Sequence, residues 1–188
     1  MAVPARLLFE LLSEIDNKNA NGEYYLTDIV GKAVAKGLIC KVVRCAEAET
    51  IGVNSRVELA KAELEFQTLR RNRLLENGIT MPAPETVHLA YDTLIGRDTV
   101  IEQNVVFGTG VTVETGARIR AFSHLEGAHV SRGCVVGPYA RLRPGAELSE
   151  DVKIGNFVEI KASLFAEGAK VNKLSYIGYT TIVARANI

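Results

Sequence analysis

The sequence predicts a mixed fold: an N-terminal portion of about two helices and one or two strands, a connecting helix, and then a parallel β-helix of hexapeptide repeats. Three observations carry this. Large apolar residues recur every six positions at Ile95, Ile101, Phe107, Val113, Ile119 and Leu125. After a five-residue step the beat resumes at Val130, Val136, Leu142, Leu148, Ile154 and Ile160. Ala166 is expected to follow, then a second five-residue step to Val171, Ile177 and Val183.

The second observation is a column two residues ahead of the first. It holds Thr93, Thr99, Val105, Val111, Ala117, Ser123, Ala128, Cys134, Ala140, Ala146, Val152, Val158, Leu164, Ala169, Ser175 and Thr181, small or β-branched almost throughout. A period of six fits neither the 3.6 of a helix nor the alternation of one long strand. It fits a solenoid in which each hexad is a short strand plus a turn and three hexads close a coil.

The third observation is punctuation. Ser55 and Glu58 form a capping box, opening a charged helix that runs to Glu76 and stops at Asn77-Gly78. The helix reads as a partly exposed connector. The Pro-rich MPAPE, residues 81 to 85, cannot continue it. The solenoid is expected from residue 86 onward. Upstream, residues 5 to 15 have helical spacing at Leu7, Leu8, Leu11 and Leu12. DNKNANGE is a loop of turn formers, and Thr27 or Asp28 can cap a short helix stopping near Gly37. LICKVVR, residues 38 to 44, is β-branched and strand-like. Residues 1 to 54 offer apolar faces that need a larger sheet, and the repeat stops without a capping segment, so the sequence reads as part of a longer protein.

Composition excludes several function classes. Lys plus Arg and Asp plus Glu both total 22, so no net field favours nucleic acid or an anionic membrane. No apolar stretch is long enough for a membrane span, and no signal peptide is visible, which points to the cytoplasm. Cys40, Cys45 and Cys134 form no CxxC and read as reduced thiols.

NKNANGEYYLTDIV, GVNSRVELAKAE, the long helix, and a solenoid containing GPYARLRPGAEL and IGNFVEIKAS together resemble one bacterial family. It is the family of bifunctional N-acetylglucosamine-1-phosphate uridyltransferases and glucosamine-1-phosphate acetyltransferases. The resemblance covers nearly the whole chain and implies three segments. Residues 1–54 would end a Rossmann-like nucleotidyltransferase domain, 55–85 would connect, and 86–188 would form a left-handed β-helix acyltransferase domain. It also implies a homotrimer, Mg²⁺ for uridylyl transfer and acetyl-CoA as acetyl donor. The glycine-rich nucleotide loop and the metal-binding aspartate of that family have no counterpart here.

Carried over position by position, the resemblance gives the site residues. Arg143 and Lys161 match the binders of the sugar phosphate, and Tyr176 and Asn187 match further contacts of that site. Asn54 matches a ligand of Mg²⁺ and the nucleotide sugar, with Glu23 and Tyr25 near the sugar. Arg143 and Lys161 each follow an inward residue and lie one coil apart, so they should stack outward with an anion between them. The departure is Lys173, in KLSYIG, where the family has its general-base histidine. Histidine titrates near neutrality, whereas an ordinary lysine, with a pKa of about 10.4, stays protonated. The expectation is therefore a chain of acetyltransferase and uridyltransferase ancestry that carries out neither reaction. The alternative is a non-catalytic trimerising solenoid. A metal-dependent reading, on the pattern of γ-class carbonic anhydrases, would have to use His88, His124 and His129.

Overall fold

The computed structural model describes residues 1–188, apart from the side chains of residues 47 and 48. The chain divides into two compact units, Met1–Thr50 and Ile51–Ile188.

In the first unit, α1 (Ala5–Leu12) packs against α2 (Asp28–Ala35). Leu11, Ile29 and Ala33 are buried, with Val3, Leu7, Leu8 and Ile15 packed around them. Lys36 bridges Glu10 and Glu14 of the other helical segment at 2.7 and 2.6 Å. Those carboxylates raise the Lys36 pKa. The strand expected over residues 38 to 44 does not form. These residues have no strand partner, and Ile39 is 88% exposed and Val42 90%. A β-branched run makes a strand only where a neighbour takes its peptide groups, and here none does.

The second unit opens with α3 (Arg56–Glu76). Ser55 Oγ accepts from the Glu58 N–H, and Glu58 in turn accepts from the Asn54 N–H at 2.6 Å. These donors hold the Glu58 carboxyl below its ordinary pKa, the Asn54 amide most of all. The helix then closes one end of the solenoid. Leu74, Ile79 and Met81 join the solenoid core. Buried Gln67 donates to the Leu89 carbonyl at 2.7 Å and accepts from the Leu89 N–H at 3.0 Å. Arg70 donates to the Thr93 carbonyl, and Arg71 to those of Glu85 and Val87. The first coil has no preceding coil to pair with, and α3 side chains supply those hydrogen bonds instead. A connector in sequence is thus an end cap in space.

The solenoid is three parallel sheets of six, six and five strands, with successive strands assigned to successive sheets. Face 1 runs from His88–Leu89 through Arg141–Leu142 and Glu159–Lys161 to Tyr176–Gly178. Face 2 runs from Leu94–Ile95 to Thr181–Ile182, and face 3 from Val100–Ile101 through Lys153–Asn156 to Lys170–Lys173. In-register partners are 18 or 17 residues apart, as at Ile95, Val113 and Val130. The lattice starts earlier than residue 86, since Thr80 already bridges Val100.

Both sequence columns line the core from Thr93 and Ile101 to Ile160, with Ile95 packed at its edge. Beyond Ile160 the register differs from the expectation. The short step falls one hexad earlier, so Phe165 and Ser163 are buried, Leu164 points outward, and Ala166 is outside the core column. A second short step makes Ile182, not Val183, the residue packed against the core. Cys134 fills its small-residue position completely. Burial pushes its thiol up to about 12.

Candidate functional site

Leu142, Ile160 and Ile177 stack inside face 1, which turns their neighbours outward. Arg141, Glu159 and Tyr176 form one outward row in register. Arg143 and Lys161 continue the adjacent row, tied by the Arg143 N–H to the Ile160 carbonyl at 2.8 Å. Arg143, Lys161 and Tyr176 therefore share one face across three successive coils. The phenol of Tyr176 lies along Gly178, where a Cβ would sit 2.6 Å from its Oη.

The two cations are not left facing one another around an empty anion position. Arg143 Nη1 donates to Glu159 Oε1 at 2.9 Å, with both side chains about one-third exposed. Lys161 Nζ lies 5.0 Å from the centre of the Tyr179 ring, a cation–π arrangement. Glu159 and Tyr179 were not anticipated from the sequence. Any anion approaching Arg143 would have to compete with the Glu159 carboxylate.

Lys173 ends the last strand of face 3, in register with Asn156. It is exposed, and among the described residues it makes no ion pair. Its carbonyl accepts from Ser175 Oγ. The pairing reaches Lys173 because residue 155 is glycine: a Cβ there would fall 1.7 Å from the Asn172 carbonyl oxygen. Asn187 bridges Lys170, and its side chain accepts from Asn172 Nδ2 at 2.9 Å. Lys173 and Asn187 thus belong to face 3, while Arg143, Lys161 and Tyr176 belong to face 1. The corner at Leu174 separates them.

That corner carries a feature the hexad pattern hid. Phe122, Tyr139 and Phe157 occupy it on successive coils with φ near +55 to +59°. Their rings stack at 4.9 and 5.1 Å while staying about half exposed. Left-handed backbone is costly for bulky residues, so ring stacking offsets part of that strain.

The remaining candidates belong to other elements. Asn54 is exposed ahead of α3, and Glu23 and Tyr25 belong to the first unit, in a loop organised by Asn19 and Asn21. Among the described residues no three His, Cys, Asp or Glu side chains gather to hold a metal ion. Asn54 offers a single neutral amide oxygen, so the residues present do not fit a Mg²⁺ site. His88 and His124 lie on face 1 with Val106 between them, while His129 lies on face 2, 2.9 Å from Glu114. The three do not converge within the chain. No described helix is long and apolar enough to cross a membrane.

No protein-family model matches the chain. Curated relatives do, over its whole length. It is 60% identical over 188 residues to the bifunctional protein GlmU of Jannaschia sp. and 64% identical to that of Ruegeria sp.. Over 181 residues it is 63% identical to that of Roseobacter denitrificans. The chain spans only 41%, 42% and 40% of those proteins respectively. Among solved structures, the acetyltransferase domain of PglB from Neisseria gonorrhoeae covers 65% of this chain and 58% of its own, at 19% identity. Its TM-score of 0.28 is too low to support any argument. The sequence identity is enough by itself: this chain belongs with the GlmU bifunctional proteins, matching about two-fifths of their length.

Proposed function

We propose that this solenoid is the sugar-phosphate face of a GlmU-type acetyltransferase, and that it binds glucosamine-1-phosphate with little or no turnover. The observation that supports this most is the gathering of Arg143, Lys161 and Tyr176 on face 1. A guanidinium, an ammonium and a phenol on rigid strands can hold a phosphate dianion. Glu159 tempers that affinity, because the phosphate must displace it from Arg143.

In the transfer itself the sugar amine attacks the thioester carbonyl of acetyl-CoA. An amide bond forms, the C–S bond breaks, and the amine proton must leave as the thiol departs. Lys173 stands where the family base would stand. An exposed ammonium has no lone pair to accept that proton. Loss of a general base typically slows such a step about 10²- to 10⁴-fold.

The same reading extends to the rest. The coil is left-handed, the chain assembles as a homotrimer in the cytoplasm, and residues 1–54 end a Rossmann-like domain. In the longer relatives Asn54, Glu23 and Tyr25 would serve uridylyl transfer with Mg²⁺, which this chain does not support on its own. The test follows thiol release from acetyl-CoA and glucosamine-1-phosphate, for the wild type and for Lys173→His. A gain of about 10²-fold or more in Lys173→His is expected. Equal turnover in the two overturns the role given to Lys173. No release from either favours a non-catalytic trimerising solenoid.

A further inference from the structure

Face 3 carries a second set of cations, and these lack the partners that face 1 provides. Its outward row runs Val100, Arg118, Val135, Lys153 and Lys170, in register from coil to coil. Lys153 and Lys170 are direct neighbours on adjacent strands, about 4.8 Å apart at the backbone. Lys173 lies three residues further along the second strand, roughly 10 Å away. The strands Lys153–Asn156 and Lys170–Lys173 together hold three lysines and no acid. Arg118, Lys153, Lys170 and Lys173 make no ion pair among the described residues.

The acids nearest in sequence are on the preceding corner or already engaged. Glu150 is paired to Arg132, Asp151 lies over Gly133, and Glu102 accepts from the Ala121 N–H. Glu167 lies on the corner before Lys170. Face 2, by contrast, presents Glu114 and Glu147 outward and no lysine or arginine on its strands.

Like charges placed directly opposite on neighbouring strands destabilise each other. The register fixes the two stems side by side, and an anionic group lying between the ammonium groups relieves their repulsion. We propose that face 3 binds a chain of linked phosphates, with Lys153 and Lys170 holding adjacent groups and Arg118, two strands further along the same outward row, engaging one end. The row from Arg118 to Lys170 spans three strand spacings, about 14 Å, more than a single phosphate bridges, so the ligand class is a polyphosphate, either free or carried on a nucleotide. The site is separate from Arg143 and Lys161 on face 1.

The test is calorimetric titration of the full chain with inorganic tripolyphosphate, orthophosphate and ATP, at about 50 and about 200 mM salt. Tripolyphosphate should bind at least about tenfold tighter than orthophosphate and weaken steeply with salt. Lys153→Gln with Lys170→Gln should weaken it by about tenfold or more, with an unchanged melting temperature showing that the fold survives. Arg143→Ala should bind it as the wild type does. ATP matching tripolyphosphate assigns a nucleotide source, and ATP failing to bind assigns a free chain. Either supports the site. Unchanged tripolyphosphate binding in the double variant overturns it, as does orthophosphate binding equally well or duplex DNA binding more tightly.

Discussion

The two units of this chain solve the same problem with unequal means. From residue 88 onward, each inner coil pairs its strands with the coils before and after, so inward residues stack in register from coil to coil. Met1–Thr50 has no such repetition. Its buried set is Leu11, Ile29 and Ala33 with a few partners, and Ile39, Val42 and Val43 lie in the open. Apolar content alone does not make a core. Periodic register does, because it delivers a matched surface to every apolar side chain.

The sharpest way to break this comparison is to place the same charge in both units. Ile154→Asp puts an unpaired carboxylate among Val136 and Val171. It should cost at least ~3 kcal/mol and lower the melting temperature by many degrees. Ile39→Asp should leave it within a degree or two. Equal effects would mean that the contrast between the units is false.

The next test concerns the late register. Phe165→Ala should cost about 3–5 kcal/mol, as truncation of a buried aromatic does. Leu164→Ser, on the outer surface, should stay within about 0.5 kcal/mol. A reversal in denaturant midpoints would restore the six-residue step to Ala166.

The smallest effect concerns the start of α3. Glu58 has its folded pKa depressed by the Asn54 and Ser55 donors. Its contribution is therefore present above the ordinary glutamate value and lost as pH falls through the lower folded value. Wild type and Glu58→Gln should differ in melting temperature near neutrality and converge in acid, below about pH 4.5. A difference independent of pH would show that the carboxylate charge plays no part there.

These tests also mark what the sequence could say. The two columns were legible because size and period agree over many coils. They slipped at Leu164-Phe165-Ala166, where three apolar residues in a row leave the period undecided. Volume decides it instead: Ser163 suits the small position, and the phenyl ring fills the large one. The outward placing of Arg143 and Lys161 followed from their inward neighbours. Their pairing with Glu159 and Tyr179 did not, since those contacts depend on rotamers and on coil lengths that are 18 in some turns and 17 in others. LICKVVR looked like a strand because β propensity is local, whereas strand formation needs a partner.

Gln67 has a consequence of a different kind. Its amide imitates one peptide of an absent coil, offering Leu89 both a donor and an acceptor. Arg70 and Arg71 consume three more carbonyls along the same rim. An open solenoid rim is a template on which another chain can add strands without limit. With the Leu89 peptide groups and the carbonyls of Glu85, Val87 and Thr93 engaged by α3 side chains, much of this rim is already occupied. The helix therefore acts as a chain terminator that disfavours rim-to-rim stacking of copies at that end.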